Sequence, residues 1–209
     1  MNKNIAIAGI HTDIGKTIAS AVIAEAIGAD YWKPIQAGNL DQSDTINVSS
    51  LISNGSQRVH KEAVRLTQPL SPHAAAAIDG VNIDHTLFKW PVTNKPLLVE
   101  TAGGLLSPIS ASSTVADLLQ YYKLPTLLIS KNYLGSINHT LLSIEVMKAR
   151  HIPILGLIIN GDSNVQSEQF IETYTQLPII ARIPHVPQLS QEAISICAAS
   201  IKQALLQYL

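Results

Sequence analysis

Short apolar runs recur along the chain without the apolar–polar alternation of a half-exposed strand: Ile5 to Ala8, Tyr31 to Ile35, Leu97 to Val99, Thr126 to Ile129, Ile154 to Ile159 and Ile179 to Ile183. A strand that is apolar on both faces must be covered on both faces, as happens inside a parallel sheet sandwiched between helix layers. Between these runs lie longer stretches of helical character: Lys16 to Ile27, Ser43 to Ser53, Thr114 to Tyr122, Ser136 to Arg150, Val165 to Gln176 and Gln191 to Gln207. Strand and helix therefore alternate, and the pattern predicts an α/β fold with a doubly wound, mostly parallel sheet flanked by helices. The stretch from Gly55 to Pro96 is cut into short pieces by Pro69, Pro72, Pro91 and Pro96. Within it Ser71-Pro72-His73, ahead of a run of alanines, predicts a helix capped by Ser71 with Pro72 in its first turn. No repeat, low-complexity tract or linker breaks the pattern, and residues 1–209 are expected to form a single domain.

Composition narrows the function classes. With 46% apolar residues in 209, the chain can bury a substantial core. Only 14% of residues are charged, against roughly 25% in an average globular protein. The 14 Lys and Arg nearly cancel the 15 Asp and Glu, so no basic field points to nucleic acid or to an anionic membrane surface. A low charge is also what a surface buried against a second subunit would give. No apolar run reaches the roughly 18 residues of a membrane span, and the opening residues lack a cleavable signal pattern, so a cytoplasmic location is expected. The lone Cys197 excludes an internal disulfide. It recurs at helical spacing with Ile194, Ile201 and Leu205, which predicts core packing rather than reactivity.

The strongest local signal is Gly9-Ile10-His11-Thr12-Asp13-Ile14-Gly15-Lys16-Thr17, which follows the first strand and opens the first helix. This is a nucleotide-binding P-loop. Gly15 lets the backbone approach phosphate, the helix start offers free N–H groups, Lys16 reaches the β and γ phosphates, and the Thr17 hydroxyl can ligate magnesium. Asp13 to Ile18 are the candidate phosphate contacts. Five residues separate Gly9 from Gly15, one more than the usual spacing of this motif. A dinucleotide-binding fold needs G-x-G-x-x-G at this place, so a nicotinamide cofactor is not expected.

Glu100 closes the Leu97 to Val99 run, at the strand end where ligands of an open α/β sheet collect, and is a candidate magnesium ligand. Thr101-Ala102-Gly103-Gly104 after it reads as a small-residue loop able to approach phosphate. Lys33 ends another apolar run before Pro34, which favours extended geometry. Asp44 stands at a helix start. Read singly, Lys33 fits a solvated, snorkelling lysine better than a site residue, and Asp44 could simply begin a helix with favourable dipole charge.

Taken together, Gly9 to Thr17, Lys33 to Gly38, Ser71-Pro72-His73, Val99 to Gly104 and Leu134-Gly135-Ser136-Ile137-Asn138-His139 occur in the order found in the dethiobiotin synthetases, and the chain resembles that family over most of its length. The resemblance implies a cytoplasmic, ATP- and Mg2+-dependent ligase that carboxylates diaminopelargonic acid with CO2 and closes the ureido ring to give dethiobiotin, ADP and phosphate. By the same resemblance Lys16 and Lys33 are the catalytic lysines, and Thr17, Asp44 and Glu100 hold magnesium. ATP would be bound by Asp13, Ile14, Gly15, Lys16, Thr17, Ile18, Asp44, Glu100, Thr101, Ala102 and Gly103. Its base would meet Asn160, Pro184, His185 and Val186. The substrate would meet Thr12, Lys33, Ala37, Ser71 and Pro72, with Leu134, Gly135, Ser136, Ile137 and Asn138 donated across a homodimer interface. The helix that Ser136 opens would receive the substrate carboxylate. Three positions depart from the family pattern: Ala37 stands where a Ser or Thr is common, His11 where an Asp is, and Thr101 where a Gly is.

Two other readings use the same early motif. An amidotransferase-type P-loop ligase, of the kind that makes cobyrinate amides or CTP, needs an ammonia-producing domain with a nucleophilic cysteine, and Cys197 sits on a packed stripe instead. A partitioning-type ATPase switch carries an additional lysine early in its loop, where this chain has Ile10 and His11.

Overall fold

The computed structural model describes residues 4–209. Among them a seven-stranded sheet runs in the order β4 (Val59–His60), β2 (Asp30–Trp32), β6 (Leu97–Gly104), β1 (Asn4–Gly9), β7 (Thr126–Ser130), β8 (Ile154–Asn160) and β9 (Ile179–Ile183). All of its neighbouring pairs are parallel. The helices are α1 (Lys16–Ile27), α2 (Asp44–Leu51), α3 (Gly55–Arg58), α4 (Pro72–Asp79), α5 (Val115–Tyr121), α6 (Ser136–Ala149), α7 (Val165–Thr175) and α8 (Gln191–Leu206). Helix α1 packs on α2 and α8, while α6 packs on α7. The doubly wound architecture expected from the apolar runs is therefore present.

The connection leaving β1 runs to one side, to β2, whereas those from β6 onward run to the other side through β7, β8 and β9. Such a reversal opens a crevice at the carboxyl ends of the strands. The P-loop leaves β1 there.

Side-chain alternation across the sheet decides what reaches that crevice. On one face Trp32, Leu97 and Val99 pack with Phe88 and Trp90. On the other, Tyr31 and Leu98 join the main core with Ile7, Ile23 and the alanine-rich surface of α1. Tyr31 and Leu98 register with one another across the β2–β6 pair. Burying each large apolar side chain stabilises the fold by roughly 1.5–3 kcal/mol. Small residues at Ala19, Ala21 and Ala24, all fully buried, let α1 sit close to the strands. Gly28 ends that helix in the left-handed region, its N–H returning to the Ala24 carbonyl.

Three local expectations are corrected. The run Tyr31 to Ile35 is not one strand: β2 stops at Trp32, and β3 (Ile35–Ala37) pairs with β5 (Val64–Leu66) in a separate two-stranded sheet. Pro34 lacks an N–H for a ladder, and its carbonyl accepts from Ala63 and Val64 instead. Thr101 to Gly104 is not a loop but the continuation of β6. Ser71 starts α4 with Pro72 in its first turn, but its side chain makes no capping bond; the hydroxyl lies 3.0 Å from His73 Nδ1. The helix expected over Thr114 to Tyr122 is α5, whose N-cap Thr114 donates from both its N–H and its hydroxyl to Asp117 Oδ2.

Candidate active site

The P-loop is a tight cradle built on two left-handed residues, Asp13 (φ 55°) and Gly15 (φ 83°). A Cβ on Gly15 would lie 2.1 Å from Asn160 Nδ2, so only glycine fits. Asn160, at the end of β8, donates from Nδ2 to the Ile14 carbonyl at 2.8 Å. Lys16 curls back over the loop, its Nζ donating to the His11 carbonyl at 3.1 Å. Burial lowers the Lys16 affinity for its proton, an effect partly offset by Glu100.

Next to the loop a charged cluster is buried at the strand ends. Lys33 Nζ is bonded to Asp44 Oδ2 and stands 3.6 Å from Glu100 Oε1. Thr17 donates from Oγ1 to Asp44 Oδ1 at 2.6 Å and lies 3.3 Å from Glu100 Oε1. Lys33 and Glu100 are 7% and 1% exposed, which rejects the reading of Lys33 as a solvated lysine. Burial disfavours the charge on Lys33, but Glu100 and Asp44 outweigh it and hold the ammonium above its ordinary value. Burial likewise opposes the charge on Asp44, and Lys33 outweighs it, so the carboxyl stays below the usual range. Ser43 caps α2 through Ile46 N–H, fixing Asp44 at the first position of the helix. Gln36 Oε1 accepts from the Asp44 N–H at 3.4 Å.

Two clefts meet over this cluster. The first, of about 630 Å³, is lined by Asp13, Gly15, Lys16, Thr17, Ile18, Glu100 and Gly103 among the expected ATP contacts. The second, of about 960 Å³, is lined by the expected substrate contacts Thr12, Lys33, Ala37, Ser71 and Pro72, and also by Ala102. Thr12, Asp13, Lys33, Asp44, Asn47 and Gly103 line both. Asn47, Ser50, Leu51 and Leu189 also line the first cleft and were missed by the sequence reading. Asn47 and Leu51 follow Asp44 at one-turn and two-turn spacing, so the helical period of α2 carried that signal.

The remaining expected residues lie apart from these walls. Thr101 is buried in β6, its hydroxyl donating to the Ile7 carbonyl at 3.1 Å. Pro184 and His185 are exposed beyond β9, and Val186 is half-buried. Leu134, Gly135, Ser136, Ile137 and Asn138 line neither cleft, although Ser136 opens α6 as expected and Leu134 is fully exposed. Just inside α6, His139 stacks on His11 of the P-loop with ring centres 5.9 Å apart, and Tyr133 Oη lies 2.7 Å from its Nδ1. Cys197 is buried on α8, as its spacing predicts.

Thr17, Asp44 and Glu100 offer one hydroxyl and two carboxylates, an all-oxygen set suited to Mg2+, which completes its shell with water and substrate phosphates rather than with a protein cage. No group of three or more His, Cys, Asp or Glu poised for a metal occurs among the described residues.

A long P-loop at the reversal point of a parallel sheet, with buried lysines and acids at the neighbouring strand ends, defines a P-loop nucleotide-dependent protein. The family model described as "AAA domain" matches residues 3–193. Fold relationship extends to the cell division ATPase MinD of Pyrococcus furiosus, with a TM-score of 0.53 over 97% of this chain and 99% of that one at 13% identity. Closer in sequence, the ATP-dependent dethiobiotin synthetase BioD of Christiangramia forsetii is 43% identical over 98% of this chain and 99% of its own length. The protein of the same name from Rhodopseudomonas palustris strain BisB5 is 44% identical over 93% and 92%. The chain belongs to the ATP-dependent dethiobiotin synthetase family, and it is an enzyme of the ligase class. No helix of the described residues is long and apolar enough to cross a membrane.

Proposed function

We propose that residues 1–209 act as a single P-loop α/β domain that uses MgATP to join CO2 to diaminopelargonic acid and close the product into dethiobiotin, with release of ADP and phosphate. The observation that carries this reading is the meeting of the two clefts over Lys33 and Asp44, with Glu100 beside Lys33 on the wall of the first. A nucleotide in the first cleft would turn its terminal phosphate toward an acceptor in the second.

The reaction needs no covalent enzyme intermediate. One substrate amine attacks the carbon of CO2 and loses a proton, giving a carbamate. A carbamate oxygen then attacks the γ phosphorus and ADP leaves. The second amine attacks the carbamoyl carbon, loses its proton, and expels phosphate as the ring closes. The phosphorylation step brings a negative carbamate oxygen against a negative phosphate, so the chain's task is positioning and charge neutralisation. Lys16 would serve the β and γ phosphates and Lys33 the carbamate and transferring phosphoryl oxygens. Bound at Thr17, Asp44 and Glu100, Mg2+ would supply charge neutralisation on the phosphates. Held charged by its two acids, Lys33 delivers its proton donors without a hydration shell to remove.

Thr12, Ala37, Ser71 and Pro72 would hold the substrate chain. At Ala37, water or a backbone group would replace the hydroxyl common in the family. Asp13, Ile14, Gly15, Ile18 and Gly103 would contact the ATP phosphates, with Ala102 on the wall of the second cleft and Thr101 supporting the site from β6 through its bond to the Ile7 carbonyl, and Asn160, Pro184, His185 and Val186 would contact the base. Leu134 to Asn138 line neither cleft of their own chain, and the free N–H groups opening α6 suit a carboxylate. Both features support a homodimer in which this segment completes the substrate site of a second copy.

Incubation with MgATP, bicarbonate and diaminopelargonic acid, followed by mass spectrometry, should yield dethiobiotin only when all are present. Folded protein that makes none would refute the reading.

A further inference from the structure

Glu100 has two oxygens and they do different things. Oε1 faces the cleft, 3.3 Å from Thr17 Oγ1 and 3.6 Å from Lys33 Nζ. Oε2 points back into the core, where it accepts the phenolic O–H of Tyr31 at 2.9 Å. Tyr31 has no solvent exposure and Glu100 has 1%, so no bulk water competes for that bond. Strand alternation explains the meeting: Tyr31 lies two residues before Lys33 and registers with Leu98, two residues before Glu100. The intervening Trp32 and Val99 point to the opposite face, into the aromatic cluster.

We infer that Tyr31 is the positioning residue of this site: its phenol fixes the rotamer of Glu100, so that Oε1 alone is presented to magnesium. Without the phenol, a buried carboxylate is free to turn and offer both oxygens to Lys33, and the metal position loses its aim. Partners behind a metal ligand commonly tune metal affinity by about 10–100-fold without touching the ion. Tyr31 would do so here through a single neutral bond, leaving the charge of the cluster unchanged.

The inference rests on the reading of Glu100 as a magnesium ligand, and the experiment separates the two. ADP affinity is measured by calorimetry across a magnesium titration for wild type, Tyr31→Phe, Glu100→Gln and the double variant, with melting temperature recorded for each. Tyr31→Phe deletes one oxygen and keeps the ring. It is expected to raise the half-maximal magnesium concentration about tenfold while leaving metal-free ADP affinity and melting temperature near wild type. In the Glu100→Gln background the same change should add nothing, because the phenol acts through the carboxylate. A magnesium response in Tyr31→Phe within twofold of wild type overturns the inference while leaving Glu100 a ligand. An unchanged response in Glu100→Gln overturns both. Loss of melting temperature and metal-free affinity together in Tyr31→Phe would make the phenol a general prop of the fold, which also overturns it.

Discussion

The Asn160 carboxamide donates to the Ile14 carbonyl across 146 positions of sequence, tying the carboxyl end of β8 to the phosphate loop. The bond has a steric counterpart, because the same amide nitrogen occupies the space a Gly15 side chain would need.

Asn160→Ala should therefore loosen the loop without unfolding the chain. A neutral hydrogen bond is worth about 0.5–1.5 kcal/mol, so ADP affinity is expected to fall by up to about tenfold. Gly15→Ala should do far more, since it adds left-handed strain of about 1–2 kcal/mol to the clash. Combining the two substitutions relieves the clash but not the strain, and calorimetry should show only partial recovery. Full recovery would mean that backbone conformation plays no part.

The two lysines should part company. Lys16 bonds only a backbone carbonyl of its own loop, and Lys16→Ala is expected to keep the melting temperature while kcat/KM falls by about 10²–10³-fold. Lys33 separates two carboxylates. Lys33→Ala should cost activity and also about 3 kcal/mol of stability, as removing one partner of a buried pair does. Denaturant titration beside steady-state kinetics distinguishes them.

Acid should attack a different place. Glu168 accepts from Asn132, Ser163 and Asn164 and is ion-paired with Arg182, whose Nε lies 2.6 Å away. Burial opposes its charge, but these donors prevail and hold the carboxyl below its ordinary value. A lowered carboxyl contributes stability above its unfolded value and loses it as pH falls through the folded one. Glu168→Gln should flatten the acid limb of a stability–pH curve while changing the neutral plateau by a constant. An unaltered acid limb would remove Glu168 from that role.

Cys197 should be inert. It is 8% exposed on the packed stripe of α8, and burial pushes its thiol up. Native protein should react with a thiol reagent much more slowly than unfolded protein, and Cys197→Ala should cost about 1 kcal/mol with turnover intact.

Much of this site was legible because its parts are local. Gly9 to Thr17 is one contiguous turn between a strand and a helix, and Lys33 and Glu100 each end an apolar run, so residue type and position coincide. What was not legible depends on partners far along the chain. Thr101 to Gly104 has the composition of a loop and is tied to β1 by the Thr101 hydroxyl on the Ile7 carbonyl and, past a shift in register, by Gly104 pairing with Gly9. The Tyr31 to Ile35 run divides because β5, hidden in the proline-broken stretch, draws Ile35 to Ala37 into a second sheet. Tyr31 read as core and is core, yet its hydroxyl serves Glu100, which only the β2–β6 register reveals.

Strand β1 lies inside the sheet, its neighbours β6 and β7 being contributed by chain made long after it. The P-loop thus leaves a ribosome well before Glu100 and Asn160, which stand against it. Each of these contacts closes a long loop of chain, the slow part of building such a sheet. A half-synthesised polypeptide therefore carries the phosphate motif without its walls, and the ability to draw on the ATP pool arrives only with the finished sheet.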